Sequence, residues 1–298
     1  MIQHIKKPPI DADRLVLYAK LVRLDKPIGI LLLLWPTLWA LFIAADGVPD
    51  IKILIVFILG VVLMRSAGCA INDYADRNID PFVVRTQQRP VASGQIHSSE
   101  ALIIAGVLAL IAFALALLFL NKLTIYFAIG AALLAGTYPF MKRFHFLPQV
   151  HLGIAFAVSI PMAFTAITNE YPTPVAWLLF TTAVIWTTAY DTLYAMVDRE
   201  EDIKIGVKST AILFGPMDKA AIGTMQFLVI VCLVLIGINT KMSWMYYVGI
   251  AAACLFFVYQ QILIKHRFPD RCSYAFLNNN YFGMVVFIGI FAHYWFAK

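Results

Sequence analysis

The stretch Asn72-Asp73-Tyr74-Ala75-Asp76-Arg77-Asn78-Ile79-Asp80 follows a long apolar segment and places three carboxylates at its end. At about 100° per residue, these aspartates would share a helical sector of roughly 60°. Carboxylates held so close repel one another, so the pattern indicates a bound cation. The predicted metal ligands in this stretch are Asn72, Asp73, Asp76 and Asp80.

A second acidic cluster, formed by Asp191, Asp198 and Asp202, would lie within about 40° of one helical face. Both clusters contain the pattern Asp-Arg-x-x-Asp, so the chain repeats a charged site. Two such clusters are typical of Mg²⁺ sites, because Mg²⁺ prefers oxygen ligands and bridges carboxylates to phosphate oxygens. We predict Mg²⁺ as the cofactor, with Asp198 and Asp202 as further ligands. The alternative is two solvated helix ends with internal salt bridges, which two matched clusters make the weaker interpretation.

The composition predicts an all-α integral membrane protein. Of the 298 residues, 61% are hydrophobic and 13% are charged, whereas a soluble domain carries about 25% charged residues. A bilayer needs about 20 apolar residues per helix, and the chain offers nine such segments. We predict one domain, 1–298, with nine transmembrane helices around a central cavity. The predicted spans are 28–45, 53–72, 101–120, 124–141, 150–168, 175–196, 221–239, 246–264 and 280–296.

The basic residues between these spans predict the topology. Residues before the first span and four alternate connections carry 18 Lys and Arg residues, and the opposite side carries four. The positive-inside rule therefore places both acidic clusters and the N-terminal segment 1–27 in the cytoplasm. Within that segment, residues 12–25 predict a short helix on the membrane surface. No early apolar core of a cleavable signal peptide is present. We expect no nucleic-acid partner, since the net charge of +6 comes from residues flanking the apolar runs.

The two long connections 73–100 and 197–220 are predicted to cap the site, because long loops in a compact chain are usually functional. They and the 142–149 connection supply cations for a diphosphate. The predicted substrate-binding residues are Arg77, Arg85, Arg89, Lys142, Arg143, Lys204 and Lys208. Membrane anchoring is the alternative role for several of them.

Three further residues are candidates within the spans. Arg65 is an intramembrane cation, which indicates either a functional site or a structural ion pair. Tyr190 and Tyr194 flank Asp191, and their rings could stabilise a carbocation, although aromatic residues are also common at membrane interfaces. No phosphate-binding glycine motif of an ATPase or a dinucleotide enzyme is present.

The motifs resemble those of a known family. Asn72 to Asp80 matches N-D-x-x-D-x-x-x-D, and Asp191 to Asp202 matches D-x-x-Y-A-x-x-D-x-x-x-D. Further similar stretches are Asp25-Lys26-Pro27-Ile28-Gly29, Arg85-Thr86-Gln87-Gln88-Arg89-Pro90, Tyr138-Pro139-Phe140-Met141-Lys142-Arg143, Lys204-Ile205-Gly206-Val207-Lys208-Ser209-Thr210 and Asn278-Asn279-Asn280-Tyr281. The chain resembles the UbiA superfamily of intramembrane aromatic prenyltransferases, most closely its bacterial 4-hydroxybenzoate branch.

This resemblance implies transfer of a polyprenyl group from polyprenyl diphosphate to 4-hydroxybenzoate, ortho to the hydroxyl, in ubiquinone biosynthesis. It also implies Mg²⁺ dependence, a cavity with a lateral opening to lipid, and the bacterial inner membrane as the location. Asp191 is a candidate for orienting the phenol or accepting a proton. For the acceptor carboxylate we favour Arg143 over Arg65, because a surface arginine costs less to desolvate. A sibling transferase with another aromatic acceptor and a cation-binding transporter remain alternatives.

Overall fold

The computed structural model describes residues 12–297, and within them every regular element is helical. Residues 1–11 and Lys298 lie outside the described part, and with them the first part of the stretch on which the signal-peptide prediction depends. The helices α1 to α13 are Ala12–Leu21, Ile28–Ala44, Ile51–Ala75, Ser98–Phe119, Lys122–Met141, Pro148–Ala157, Ser159–Thr168, Pro174–Val197, Arg199–Ile205, Thr210–Phe214, Asp218–Asn239, Trp244–Leu263 and Pro269–Phe296. Short 3-10 turns are formed by Asp80–Phe82, Gly215–Met217 and Ile264–His266.

The length and apolar character of the helices identify a membrane protein. In the described residues, seven helical segments are long and apolar enough to cross a bilayer. The apolar helix α2 is shorter, with 17 residues, and α8 has 24 residues. These nine segments overlap the nine predicted spans, and the number that cross the membrane stays a prediction.

The fifth predicted span is interrupted, as a proline in it suggests. Helix α6 ends at Ala157 and α7 begins at Ser159. Pro161 lies four residues after Ala157 and has no N–H group to donate to the Ala157 carbonyl. The break therefore follows from the missing hydrogen bond, and the two halves continue as one apolar segment.

The prediction that residues 265–279 form a connection is largely wrong, because α13 begins at Pro269. The polar run Asn278-Asn279-Asn280 made this part look like a loop. All three amides accept hydrogen bonds from other helices: Asn278 from Gln260 at 3.0 Å, Asn279 from Trp186 at 2.9 Å and Asn280 from Trp35 at 2.8 Å. Asn279 is buried and the other two are half-buried, and amides with such partners are compatible with a helix in the bundle.

A single large core joins α2, α7, α8, α11, α12 and α13 around Trp39, Trp186 and Tyr246. Helices α12 and α13 approach closely at Gly249 and Gly289, where a side chain would not fit. A Cβ atom on Gly249 would lie 3.0 Å from the Gly289 Cα. Among the seven apolar segments, α4 and α5 bury the smallest share of their residues. The bundle is therefore well packed on one side and more open along α4 and α5.

Candidate active site

Both acidic motifs open into one cavity of about 1550 Å³. Helices α3 and α8 carry the start of the two motifs but end before the motifs do, α3 at Ala75 and α8 at Val197. The prediction that each motif continues along one helical face is wrong, since Asp76, Asp80, Asp198 and Asp202 lie beyond these helix ends. The predicted residues that line the cavity are Asn72, Asp73, Asp76, Asp80, Asp191, Tyr194, Asp198, Asp202, Arg65, Arg85, Arg89, Lys142 and Lys208.

The first motif is buried and held by cations from three parts of the chain. The exposed fractions of Asp73, Asp76 and Asp80 are 1%, 1% and 4%. Arg89 lies between two of them, with its Nη1 3.4 Å from Asp73 Oδ1 and 2.9 Å from Asp80 Oδ2. Arg23, from the residues after α1, donates to the same Asp73 oxygen at 2.8 Å. These contacts hold the connection after α3 against the helix end.

Asp76 lies at the end of α3 and contacts the connection that follows α5. Lys142 Nζ donates to Asp76 Oδ2 at 2.6 Å, and Asn72 Nδ2 lies 3.2 Å from the same oxygen. Burial raises the pKa of the Asp76 carboxyl above its ordinary value, although the charge of Lys142 opposes this. The connection after α5 is thereby tied to the first motif.

The second motif is less buried, and only one of its three aspartates has an ion-pair partner in the described residues. Arg85 Nε donates to the two carboxylate oxygens of Asp198 at 3.0 and 3.1 Å, and its guanidinium lies 4.4 Å from the centre of the Tyr194 ring. Burial and the neighbouring Asp198 charge raise the pKa of Asp202 to about 6. Asp191 faces the cavity from α8.

Two carboxylate oxygens in this cavity have no hydrogen-bond partner in the described part of the chain, and two further carboxylates have no ion-pair partner there. Asp73 Oδ2 and Asp76 Oδ1 are buried and accept no hydrogen bond, and Asp191 and Asp202 form no ion pair. A buried carboxylate oxygen without a donor is costly unless a cation or water is bound. Asp73 and Asp76 therefore fit a divalent cation, together with Asn72 and the second motif.

No group of three carboxylates within residues 12–297 is close enough together to hold a metal ion. Arg85 and Lys142 each pair with one motif carboxylate, and Arg89 pairs with two. In this arrangement the protein's own cations pair with Asp73, Asp76, Asp80 and Asp198 but not with Asp191 or Asp202.

Three predicted basic residues do not line the cavity. Arg77 donates to the Tyr74 carbonyl at 2.8 Å and lies 4.3 Å from the centre of the Tyr74 ring. Arg143 donates to the Ala75 carbonyl, and Lys204 is exposed. Lys208 does line the cavity, and its Nζ donates to the Phe144 carbonyl at 3.0 Å.

Arg65 lies deeper, on the α3 face of the cavity. Its Nη1 lies 3.0 Å from Cys69 Sγ, and its Nε is buried without a hydrogen-bond acceptor. Gly29 of α2 allows this position, because a Cβ atom there would lie 2.6 Å from the guanidinium. The alternative role, a structural ion pair, is not seen within residues 12–297, where Asp73 pairs with Arg23 and Arg89 instead. Arg65 is therefore a buried cation that can accept an anionic partner.

The two tyrosines flanking Asp191 have different surroundings. Tyr194 lines the cavity beside Arg85. Tyr190 is 2% exposed and packs edge-on against Trp186, with 5.4 Å between the ring centres. Tyr190 thus belongs to the core, one helical turn from Tyr194.

Two site residues were not singled out in the sequence. Arg23 contacts Asp73, and Tyr138 of α5 lines the cavity. Arg23 lies within the predicted surface helix 12–25, and nothing in its spacing distinguishes it from the other basic residues there. Tyr138 lies in the stretch Tyr138–Arg143, which carried the family resemblance but no separate role.

Comparison with known proteins gives consistent matches over almost the whole chain. The UbiA prenyltransferase family model matches residues 33–289. The 4-hydroxybenzoate octaprenyltransferase of Alkalilimnicola ehrlichii is 55% identical over 278 residues, covering 93% of this chain and 94% of the relative. The protein of the same name from Aliivibrio fischeri is 57% identical over 273 residues, covering 92% of this chain and 95% of the relative.

Solved structures have the same fold. The apo structure of a UbiA homolog from Aeropyrum pernix covers 87% of this chain and 96% of its own, with a TM-score of 0.77 and 25% identity. A UbiA homolog from Archaeoglobus fulgidus, bound to GPP and Mg²⁺, covers 92% of this chain and 99% of its own, with a TM-score of 0.68 and 16% identity. The family predicted from the two acidic motifs is confirmed, and this chain belongs to the UbiA prenyltransferase family.

Proposed function

We propose that this membrane protein transfers a polyprenyl group from polyprenyl diphosphate to the ring of 4-hydroxybenzoate, ortho to the hydroxyl, and releases diphosphate. The observation that carries the proposal is the convergence of two acidic motifs and several cations on one large cavity. Relatives at 55% and 57% identity carry the name 4-hydroxybenzoate octaprenyltransferase. An octaprenyl donor and a role in ubiquinone biosynthesis follow from this similarity. Family membership selects an enzyme over a cation-binding transporter.

Mg²⁺ fits the acidic end of the cavity as the cofactor. The residues that would hold it are Asn72, Asp73, Asp76, Asp80, Asp198 and Asp202. When bound, Mg²⁺ supplies positive charge that stabilises the leaving diphosphate. The unpartnered oxygens of Asp73 and Asp76 support this assignment, as does the Mg²⁺ bound to the Archaeoglobus fulgidus homolog.

The chain's own cations bind the diphosphate. Arg85, Arg89, Lys142 and Lys208 line the cavity beside the acidic motifs, and charge-assisted hydrogen bonds from such groups are strong and directional. Asp198, Asp80 and Asp76, which Arg85, Arg89 and Lys142 contact, are among the residues that would hold Mg²⁺. Arg77, Arg143 and Lys204 then serve the connections or the membrane surface.

The prenyl tail occupies the apolar part of the cavity. Small and apolar side chains of α3, α4 and α5 line it, including Gly60, Val61, Gly106 and Phe113. Helices α4 and α5 are also the least buried of the apolar segments. A lateral opening to lipid on this side lets the tail remain in the membrane.

The reaction is an electrophilic substitution on the aromatic ring. The bond between the allylic carbon and the diphosphate oxygen breaks, and the ring carbon ortho to the hydroxyl forms a bond to the allylic carbon. Tyr194 stabilises the allylic cation through its ring face, and Tyr190 packs in the core against Phe276, which Tyr194 also contacts. The ring proton then leaves to Asp191, which faces the cavity without an ion-pair partner.

Arg65 is the proposed partner of the acceptor carboxylate. It lines the cavity, whereas Arg143, which we favoured from the sequence, does not. The Arg65 Nε lacks an acceptor, and a buried cation gains more from an anionic partner than an exposed one. Arg65 and Asp191 both line this cavity, which supports an acceptor ring bound between the two.

The topology completes the proposal. One domain, 1–298, crosses the bacterial inner membrane nine times, with segment 1–27, the acidic motifs and their capping connections 73–100 and 197–220 in the cytoplasm. The division of Lys and Arg between the connections supports this orientation.

The direct test is product analysis with purified protein and octaprenyl diphosphate. We expect prenylation of 4-hydroxybenzoate, with release of diphosphate that stops when a chelator removes Mg²⁺ and returns when Mg²⁺ is added. Homogentisate and a naphthoate serve as competing acceptors. Prenylation of either of these without 4-hydroxybenzoate would make the chain a sibling transferase.

A further inference from the structure

Helix α9 carries Asp202, but it is not held by the core. None of its seven residues is buried. A helix without buried side chains contributes little packing energy and opens easily. Its position therefore depends on polar contacts: Glu201 accepts from the Val84 N–H at 3.2 Å, and Arg199 Nη1 lies 3.2 Å from Asp218 Oδ2.

Asp218 is the buried end of this last contact. It is the first residue of α11 and is 0% exposed. Arg267 Nε lies 3.0 Å from both carboxylate oxygens, and Arg267 Nη2 lies 2.7 Å from Oδ1. The backbone N–H of Lys219 donates to Oδ1 at 2.7 Å. Asp218 is thus held firmly, independently of Arg199.

The helix that begins at Asp218 is fixed in the bundle. Ile222, one turn later, is fully buried against Leu193 and Met196 of α8. Helix α11, which begins at Asp218, therefore packs against α8, the helix that ends at the second motif. Arg199 is the first residue of α9 and directly follows Asp198. Its ion pair with Asp218 therefore ties the start of α9 to a fixed point.

We propose that Asp218 is a positioning residue for the second acidic motif. Through Arg199, it holds the start of α9 so that Asp198 and Asp202 face the first motif across the cavity. The inference rests on the proposed function, because it concerns the same metal site. Partners of this kind, one contact behind the ligands, typically change metal affinity by about 10–100-fold.

The contact also explains why the two Asp-Arg-x-x-Asp copies differ in their arginines. Arg77 remains on its own helix end at Tyr74, where α3 is already packed against α4. Arg199 leaves its helix and contacts Asp218 instead. The copy without core packing is the one whose arginine makes a long-range ion pair.

The test compares Mn²⁺ binding by full-length variants in detergent, measured by electron paramagnetic resonance in the presence of inorganic diphosphate. Asp218→Asn keeps the side-chain size and removes the charge, and we expect about tenfold weaker Mn²⁺ binding. The Mg²⁺ concentration for half-maximal activity should rise similarly, with an unchanged KM for 4-hydroxybenzoate. Asp270→Asn is the matched control, since Asp270 is an exposed aspartate on α13 whose side chain is 67% accessible.

Arg199→Gln separates positioning from structural support, because it leaves the Asp218–Arg267 pair intact. We expect it to weaken Mn²⁺ binding as much as Asp218→Asn, and the double variant to be no worse than either. It also carries the test if Asp218→Asn is not monodisperse. Wild-type Mn²⁺ affinity in Arg199→Gln would overturn the inference, as would full additivity in the double variant.

The failure of this inference is distinguishable from failure of the proposed function. Wild-type protein that binds no Mn²⁺ and prenylates no acceptor would refute the proposed function. Wild-type protein that binds Mn²⁺, with both variants binding equally well, would refute only the role of Asp218.

Discussion

The two acidic motifs have nearly the same pattern of residues but are built differently. Asp73, Asp76 and Asp80 are almost fully buried and are neutralised by Arg23, Arg89 and Lys142, which come from three separate parts of the chain. Only Asp198 of the second motif has an ion-pair partner in the described residues, and no residue of α9 is fully buried. The first motif is therefore preorganised by burial, and the second by polar contacts at its edges.

This difference indicates how the site can open and close. The connection after α3 joins the two motifs: the Arg85 side chain donates to Asp198, and the Val84 N–H donates to Glu201. In the proposed function the substrate diphosphate binds Arg85, so its binding would exchange one set of ionic contacts for another. The less buried second motif is the part expected to move.

The largest expected effect concerns the side of the membrane on which each motif lies. In a variant without the four native cysteines, Ser93→Cys and Met217→Cys should be labelled only from the cytoplasmic side, because the basic connections lie there. Tyr171→Cys, which is exposed at the opposite end of the bundle, should be labelled only from outside. Labelling of Ser93→Cys and Met217→Cys from opposite sides would rule out a shared site.

The next effect concerns catalysis by each motif. Asp76→Asn and Asp198→Asn should each abolish measurable turnover, with losses of at least about 10²–10³-fold, since each removes a charge that holds Mg²⁺ against the leaving group. Turnover is measured by product chromatography on inserted, monodisperse protein. Glu200→Gln, an exposed position beside the second motif, is the control and should retain wild-type turnover. Substantial activity in either aspartate variant would contradict the two-motif metal site.

A smaller effect separates the acceptor from both motifs. Arg65→Ala should lower kcat/KM for 4-hydroxybenzoate. The corresponding loss of transition-state stabilisation should be about 2–5 kcal/mol, the usual cost of stranding one member of a charge pair. The KM for the prenyl diphosphate should change little, because Arg65 pairs with no motif aspartate. Arg143→Ala is the comparison variant. If Arg143→Ala shows the acceptor defect and Arg65→Ala does not, the assignment from the structure is wrong.

The smallest effect concerns the stability of metal-free protein. The ionised Asp202 carboxylate disfavours folding, because its pKa is raised to about 6 by burial and by Asp198. At pH 7 with chelator, Asp202→Asn should gain on the order of 1 kcal/mol after allowance for solvent screening. Asp76→Asn should gain less, because Lys142 loses the partner at 2.6 Å.

The pH dependence of this gain follows from the direction of the shift. Asp202 is ionised above about pH 6 in the folded protein, so the gain is complete there. It should shrink as the pH falls from 6 toward 4 and vanish below about 4, where the wild-type carboxyl is protonated in both states. Thermal unfolding in detergent at pH 7 and pH 4.5 measures it, and an equal gain at both values would contradict the burial of Asp202.

Much of the molecule could be predicted from short-range patterns. Each predicted span corresponds to an apolar helical segment, and the boundaries differ most at α13, where three asparagines resembled a loop. Their hydrogen bonds to Trp186, Trp35 and Gln260 are contacts between distant helices. A pattern of residue types cannot distinguish a solvated amide from one that has such a partner.

Within the site, the kinds of residues were predictable, but their pairings were not. Arg85, Arg89 and Lys142 were expected near the motifs and line the cavity, whereas Arg77 and Arg143, equally basic and equally close in sequence, do not. Arg23 and Asp218 gave no signal, because a single charged residue near a membrane boundary is common.

The sequence by itself determined the membrane class, the two acidic motifs and the family, because apolar length and clustered charge have local physical causes. A bilayer requires long apolar helices, and like charges in apolar surroundings require a counter-charge. The tertiary structure decided which cation meets which carboxylate, that Arg65 faces the cavity and that α9 lacks core packing. Those features depend on helices far apart in the chain, and close packing decides their distances by side-chain shape rather than by spacing in sequence.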